Sequence, residues 1–146
     1  HEPFKLVVAG SSPARLTNWC GDQTGADRQV VMAKYALFAF TGEAGCFIHV
    51  LLNALDMQAR GHEAKIVVEG AATKLVPGLY EEGKPLNPLW KKCLAADLVD
   101  GVCMACAAKM GTLEATAKHE LKLLDEMSGH PSIAVYRAAG WEVITF

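Results

Sequence analysis

What most constrains this chain is a pair of short apolar runs with one amphipathic stretch between them. Residues 34–41 (KYALFAFT) are apolar and aromatic and close at Gly42, and residues 64–68 (AKIVV) close at Glu69-Gly70. Neither run alternates polar with apolar, so each reads as a strand covered on both faces, as in a parallel sheet. Between them, residues 43–60 place apolar side chains at Phe47, Val50, Leu51, Ala54, Leu55 and Met57, a helical spacing that Gly61 stops. A strand, a helix of about five turns and a second strand in so short a span form a βαβ unit. A right-handed crossover and a parallel sheet follow from it.

The rest of the chain extends that unit. Residues 71–79 predict a short helix frayed by Pro77-Gly78, and residues 81–88 (EEGKPLNP) an exposed loop. Residues 89–98 predict a helix with Trp90, Leu94 and Leu98 on one side, and residues 99–105 (VDGVCMA) a third strand. Residues 112–127 predict one long helix with a stripe of Leu113, Ala117, Leu121 and Leu124. A short helix over 132–139 and a terminal strand over 141–146 (WEVITF) complete the pattern. The expected fold is a compact three-layer α/β domain over residues 32–146, with a mostly parallel sheet of four to five strands flanked by helices.

Residues 1–31 differ in kind. Residues 4–9 (FKLVVA) read as an added edge strand, and residues 10–25 have no periodicity. Met32 stands immediately before the first strand, as a start codon would, and GSSPARLTN resembles translation through the end of a transfer-RNA gene. The segment reads either as an overextended reading frame or as a genuine extension that packs on a neighbour.

Composition narrows the function classes. With 146 residues, 51% of them hydrophobic and 21% charged, the chain has material for one globular core and is not a disordered segment. A net charge of -2 without any lysine-arginine block argues against nucleic acid or an anionic membrane as a partner held by bulk electrostatics. The apolar stretches are too short or too interrupted to span a bilayer, and the first thirty residues lack the order of a secretory signal, so the cytoplasm is expected. Phosphate-loop, GxSxG and HExxH patterns are missing from the sequence, and neither a cofactor nor a metal is expected.

Chemistry concentrates in residues 101–111 (GVCMACAAKMG). Cys103 falls where a parallel strand ends and a helix begins, the place where open α/β sheets bind ligands, and Cys106 lies one turn on. Unpaired helix N–H groups there favour a thiolate or persulfide, and Lys109 adds positive charge if it folds back. Cys46 opens the first helix at the same edge, with Thr41, Gly42 and Glu43 lining its turn, and Glu69 reaches that edge as an acid or base from the second strand.

Cys46 also has a plainer reading as helix packing and Glu69 as a solvated carboxylate; His49, one turn on from Cys46, reads either as a general base or as a partly buried, hydrogen-bonded histidine. His119 and His130 read as surface residues, and Cys93 and Cys20 lack supporting context. Three rival functions remain. A zinc site needs four ligands, so the CxxC pair would require Cys93 and His119. A thioredoxin-like redox protein carries its CxxC early in the chain rather than late. An oligomeric binding or scaffold protein needs no reactive thiol.

Cys103-Met104-Ala105-Cys106 followed by Met110-Gly111 resembles the pattern of the DsrE/DsrF-like sulfur-relay family: cysteine, two residues, serine or cysteine, then a methionine-glycine pair. KYALFAFTG, AKIVVEGAATKLVPGL and WEVITF fall where that family has them, so the resemblance covers residues 33–146. It implies that Cys103 accepts sulfane sulfur as a persulfide and that Cys106 can resolve it as a disulfide. It also implies a trimer or hexamer of identical chains, with partner proteins as sulfur donor and acceptor. In one respect the sequence departs from the pattern. The stretch between Trp90 and Cys103 is compressed, and a strand running through Cys103 would leave Cys106 as the exposed thiol.

Overall fold

The computed structural model describes residues 31–146; the edge strand expected at residues 4–9, and Cys20, lie outside them. The βαβ unit forms as β1 (Lys34–Ala39), α1 (Ala44–Ala59) and β2 (Glu63–Val68). The strands run parallel, in register from Lys34 opposite Glu63 to Ala39 opposite Val68. α1 turns Phe47, Val50, Leu51 and Ala54 into the core, the inner part of the stripe read from the sequence. Burying Phe47, Val50 and Leu51 contributes roughly 1.5–3 kcal/mol each over the exposed state, and Ala54 less.

A 3-10 turn (Gly70–Leu75), α2 (Val76–Leu79) and α3 (Asn87–Ala95) lead to β3 (Val99–Cys103). Then come α4 (Met104–Met110), α5 (Leu113–Lys118), β4 (Leu123–Leu124), α6 (Ile133–Ala138) and β5 (Glu142–Thr145). The sheet is parallel throughout, in the order β4-β3-β2-β1-β5. The chain therefore steps outward from β1 to β4 and then crosses to the far side of β1. On one face Leu37, Ile66, Val68 and Val102 pack against α1, α2, α3 and Ala107 of α4. On the other, Ala36, Phe38 and Val67 pack against Leu124, Tyr136 of α6 and Trp141. The result is three layers, as expected. Among the described residues no helix is long and apolar enough to cross a membrane.

Two expectations need correction. α3 begins at Asn87, inside the predicted loop, because Pro88 sits in the first turn, where its missing N–H is no loss. The predicted helix over 112–127 ends at Lys118 instead. Glu120 takes a φ of 57°, and Leu123–Leu124 pair with Val102 and Cys103 as an edge strand. Leu113, meant for the inner stripe, is 36% exposed, whereas Leu124 is 1% exposed. The open edge of β3 supplies backbone partners that a surface helix cannot, and Val102 N–H donates to Lys122 O at 2.9 Å. Gly101 makes the approach possible: a Cβ there would stand 2.5 Å from Lys122 O and 2.8 Å from Leu124 Cγ.

Candidate functional site

In a parallel sheet all carboxyl ends share one edge, so residues that leave adjacent strands there become neighbours whatever their separation in sequence. Glu69 follows β2, Cys103 ends β3, Cys106 lies in the first turn of α4, and His130 sits in the turn after β4. Their ligand-type atoms all lie within 4.8 Å of one another.

Each is held by local backbone. Cys103 caps α4, its Sγ accepting the Cys106 N–H at 3.4 Å and its thiol donating to Gly129 O at 3.6 Å. Gly129 has a φ of 86°, a conformation that other residues resist. Its carbonyl accepts from Ala105 N at 2.8 Å, which ties the turn to α4. Met127 N donates to His130 O at 2.8 Å and His130 N to Met127 O at 3.0 Å, so the histidine stands on a closed turn.

From that position His130 Nδ1 lies 3.2 Å from Cys103 Sγ and 3.7 Å from Cys106 Sγ. It is also 3.8 Å from Glu69 Oε1. The cluster has a closed end and an open one: Cys103 is fully buried, and the side chains of Glu69 and His130 are 12% and 40% exposed. Cys106 is half-buried, on the open side.

Burial dominates the electrostatics. It pushes the Cys103 thiol up to about 12; the Cys106 N–H opposes this, while the neighbouring Cys106 thiol and the Glu69 carboxylate add to it. The expectation of a low-pKa thiolate at Cys103 is thereby corrected, since one capping N–H does not offset complete removal from water. Burial also raises Glu69, and the charge of His130 opposes that rise.

Residues after β1 stay outside the cluster. Thr41, Glu43 and Cys46 are exposed, and Gly42 packs against the Ala71 backbone. Glu43 serves α1 through its carbonyl, which accepts from Cys46 N and Phe47 N at 3.0 Å. Lys109 and His49 are exposed, the latter against the expectation of partial burial. Cys93 is a packing residue, fully buried, with its thiol toward Leu51 O at 3.8 Å and its pKa pushed up to about 11 by burial. His119 stacks on Tyr80 with ring centroids 3.5 Å apart. The pair once considered to complete a metal site is therefore committed elsewhere, and Glu69 and His130 stand where it was sought. His130 is the residue that sequence reasoning missed. The signal was its setting between Gly129 and Pro131, which marks a shaped turn rather than a solvated loop.

Two sulfurs, one imidazole and one carboxylate can exchange protons with a thiol reaction, or together coordinate a metal ion. No protein-family model matches the chain, and no solved structure matches it. Over 97 residues it is 35% identical to Uncharacterized protein MJ0733 of Methanocaldococcus jannaschii, covering 66% of this chain and 77% of that protein. Over 58 residues it is 36% identical to an uncharacterized protein of Archaeoglobus fulgidus, covering 40% of this chain and 93% of that protein.

Proposed function

We propose that this protein, which belongs to the same family as MJ0733 of Methanocaldococcus jannaschii, is a cytoplasmic sulfane-sulfur carrier of the DsrE/DsrF-like kind. One observation carries the reading: two thiols one helical turn apart both face Nδ1 of a single histidine, at 3.2 Å and 3.7 Å. An imidazole so placed can take a proton from either sulfur and return it.

Burial supports a division of roles between the two thiols. Cys103 has no exposed surface and a strongly raised pKa, so the first attack falls to the half-buried Cys106 rather than to Cys103. The Cys106 thiol gives its proton to His130, and its sulfur attacks the outer sulfur of a persulfide donor. The donor's S–S bond breaks, and its thiolate leaves with the electron pair and takes up a proton. An acceptor thiol then attacks the outer sulfur of the Cys106 persulfide, and Cys106 departs as a thiol. Both transfers are redox-neutral. If Cys103 attacks the inner sulfur instead, a Cys103–Cys106 disulfide forms and the outer sulfur leaves as hydrogen sulfide. Two thiols are then oxidised as one sulfane sulfur is reduced. The same proposal includes a trimer or hexamer of identical chains, which a sizing column with light scattering checks.

Intact mass after brief incubation with polysulfide tests the mechanism. The wild type should gain sulfur that a reductant removes, Cys106→Ser should gain none, and Cys103→Ser should keep the added sulfur longer. Uptake lost only in Cys103→Ser would return the attack to Cys103. Absence of uptake in the wild type would sink the carrier reading.

A further inference from the structure

The cluster also offers a second chemistry, which needs its donors to draw together by no more than about an ångström. We propose that Glu69, Cys103, Cys106 and His130 form a four-ligand site for a zinc-class divalent cation. Two thiolates, an imidazole and a carboxylate are the donor types that such a borderline-soft ion selects. Around a tetrahedral centre with zinc's bond lengths, neighbouring donor atoms stand about 3.3–3.8 Å apart. The separations from His130 Nδ1 are 3.2 Å, 3.7 Å and 3.8 Å, and all four donors fit within 4.8 Å.

The supports suit the task. The ligands leave the ends of β2 and β3, the first turn of α4 and the closed turn after β4, so regular structure or a hydrogen-bonded turn fixes each of them. Among the described residues, the one ion-pair partner of Glu69 is His130. Three acidic groups thus converge on a place where, among the described residues, no lysine or arginine pairs with them, and a divalent cation that displaces the thiol protons balances the charge of the thiolates it forms. The half-exposed side of His130 and Cys106 leaves a way in for the ion.

This inference uses the same sulfurs as the carrier reading but does not rest on it. A cation held by both thiolates occupies the lone pairs that would attack a persulfide, so metal binding and sulfur uptake exclude each other. In the sulfur reading, the metal is then a cap that must leave first.

The test titrates reduced, metal-stripped full-length chain with cobalt(II), then with zinc(II) against a chromophoric chelator. One equivalent per chain is expected, with intense tetrahedral cobalt bands and thiolate-to-cobalt charge transfer. Cys103→Ser, Cys106→Ser and His130→Ala should each weaken zinc binding at least a hundredfold, and Glu69→Gln at least tenfold. Circular dichroism reports whether each variant folds; should Cys103→Ser fail to, the half-exposed His130→Ala decides. Substoichiometric binding by the wild type, or binding that survives His130→Ala or moves with Cys46→Ser, overturns the proposal. Polysulfide uptake measured beside it separates the two readings: metal binding without uptake leaves the site and removes the carrier, and uptake without metal binding does the reverse.

Discussion

Strand β3 carries two polar groups three residues apart, Asp100 and Cys103, and their surroundings contrast. Asp100 is a closed account of charge. Lys65 Nζ stands 2.9 Å from one of its carboxylate oxygens, and the Tyr136 hydroxyl donates to the other. Lys65 also lies 5.0 Å from the centre of the Trp141 ring. The register shift between Ile66 and Val67, which face Val99 and Gly101, makes Asp100 the extra residue. Burial pushes its carboxyl up, but the hydrogen bonds from Tyr136 and Lys65, with the charges of Lys65 and Lys122, outweigh that and hold it below the usual aspartate range. Cys103 goes the other way. Its neighbours are a second thiol and a carboxylate, and the histidine between them is half-exposed. A buried acid whose charge is already matched stabilises the fold. At a sheet's carboxyl edge, acids with no lysine or arginine beside them among the described residues are the setting in which functional groups gather.

The largest expected effect follows from the closure of the Cys103 setting, which should separate its thiol, with the buried Cys93, from the more open cysteines. With Cys103 pushed up to about 12 and Cys93 to about 11, both should resist iodoacetamide at pH 8, while Cys46 and Cys106 react. The raised value alone lowers the Cys103 thiolate fraction on the order of a thousandfold against an ordinary thiol. Peptide mapping reads this directly, and fast labelling of Cys103 in folded protein would erase the contrast.

Next comes Gly101→Ala, which drives a Cβ into Lys122 O and Leu124 at the place where β4 docks. A loss of about 3 kcal/mol in denaturant unfolding is expected, with reduced sulfur uptake because the His130 turn follows β4. Unchanged stability would mean that the edge strand does not form as described. His130→Ala should slow persulfide formation about a hundredfold at pH 7 with little change in stability, as measured by stopped-flow mass labelling. An equal effect on folding would make His130 structural, like Tyr136.

The smallest effect belongs to Asp100. Its folded pKa is lowered, so its contribution to stability is fully present above the ordinary aspartate value of about 4 and is lost as pH falls from there through the folded value. Asp100→Asn should cost on the order of 1 kcal/mol at pH 7 and flatten the acid limb of stability, while leaving sulfur uptake intact. An unaltered acid limb would show that Asp100 is not the closed counterpart described above.

Much of the fold was legible in the sequence. The βαβ unit and α1's buried face follow from periodicities that the chain itself carries, and the apolar β1 and β2 could only be strands with both faces covered. The junction at Cys103 was legible for the same reason, as was the alternative in which the strand runs through that cysteine. Residues 112–127 were misread because their helical spacing is real but weak beside the backbone partners on β3's open edge.

By itself, then, the sequence determined the layer order and the two thiols one turn apart, because local periodicity and spacing act between residues close in the chain. Only the tertiary structure decided that Glu69 and His130 join them and that Cys103 is closed off from water. Glu69 lies in the chain well before Cys103, and His130 well after it. Nothing short-range links them. Parallel pairing of β2, β3 and β4 brings their carboxyl ends to one edge, and that alignment exists only once the sheet has formed.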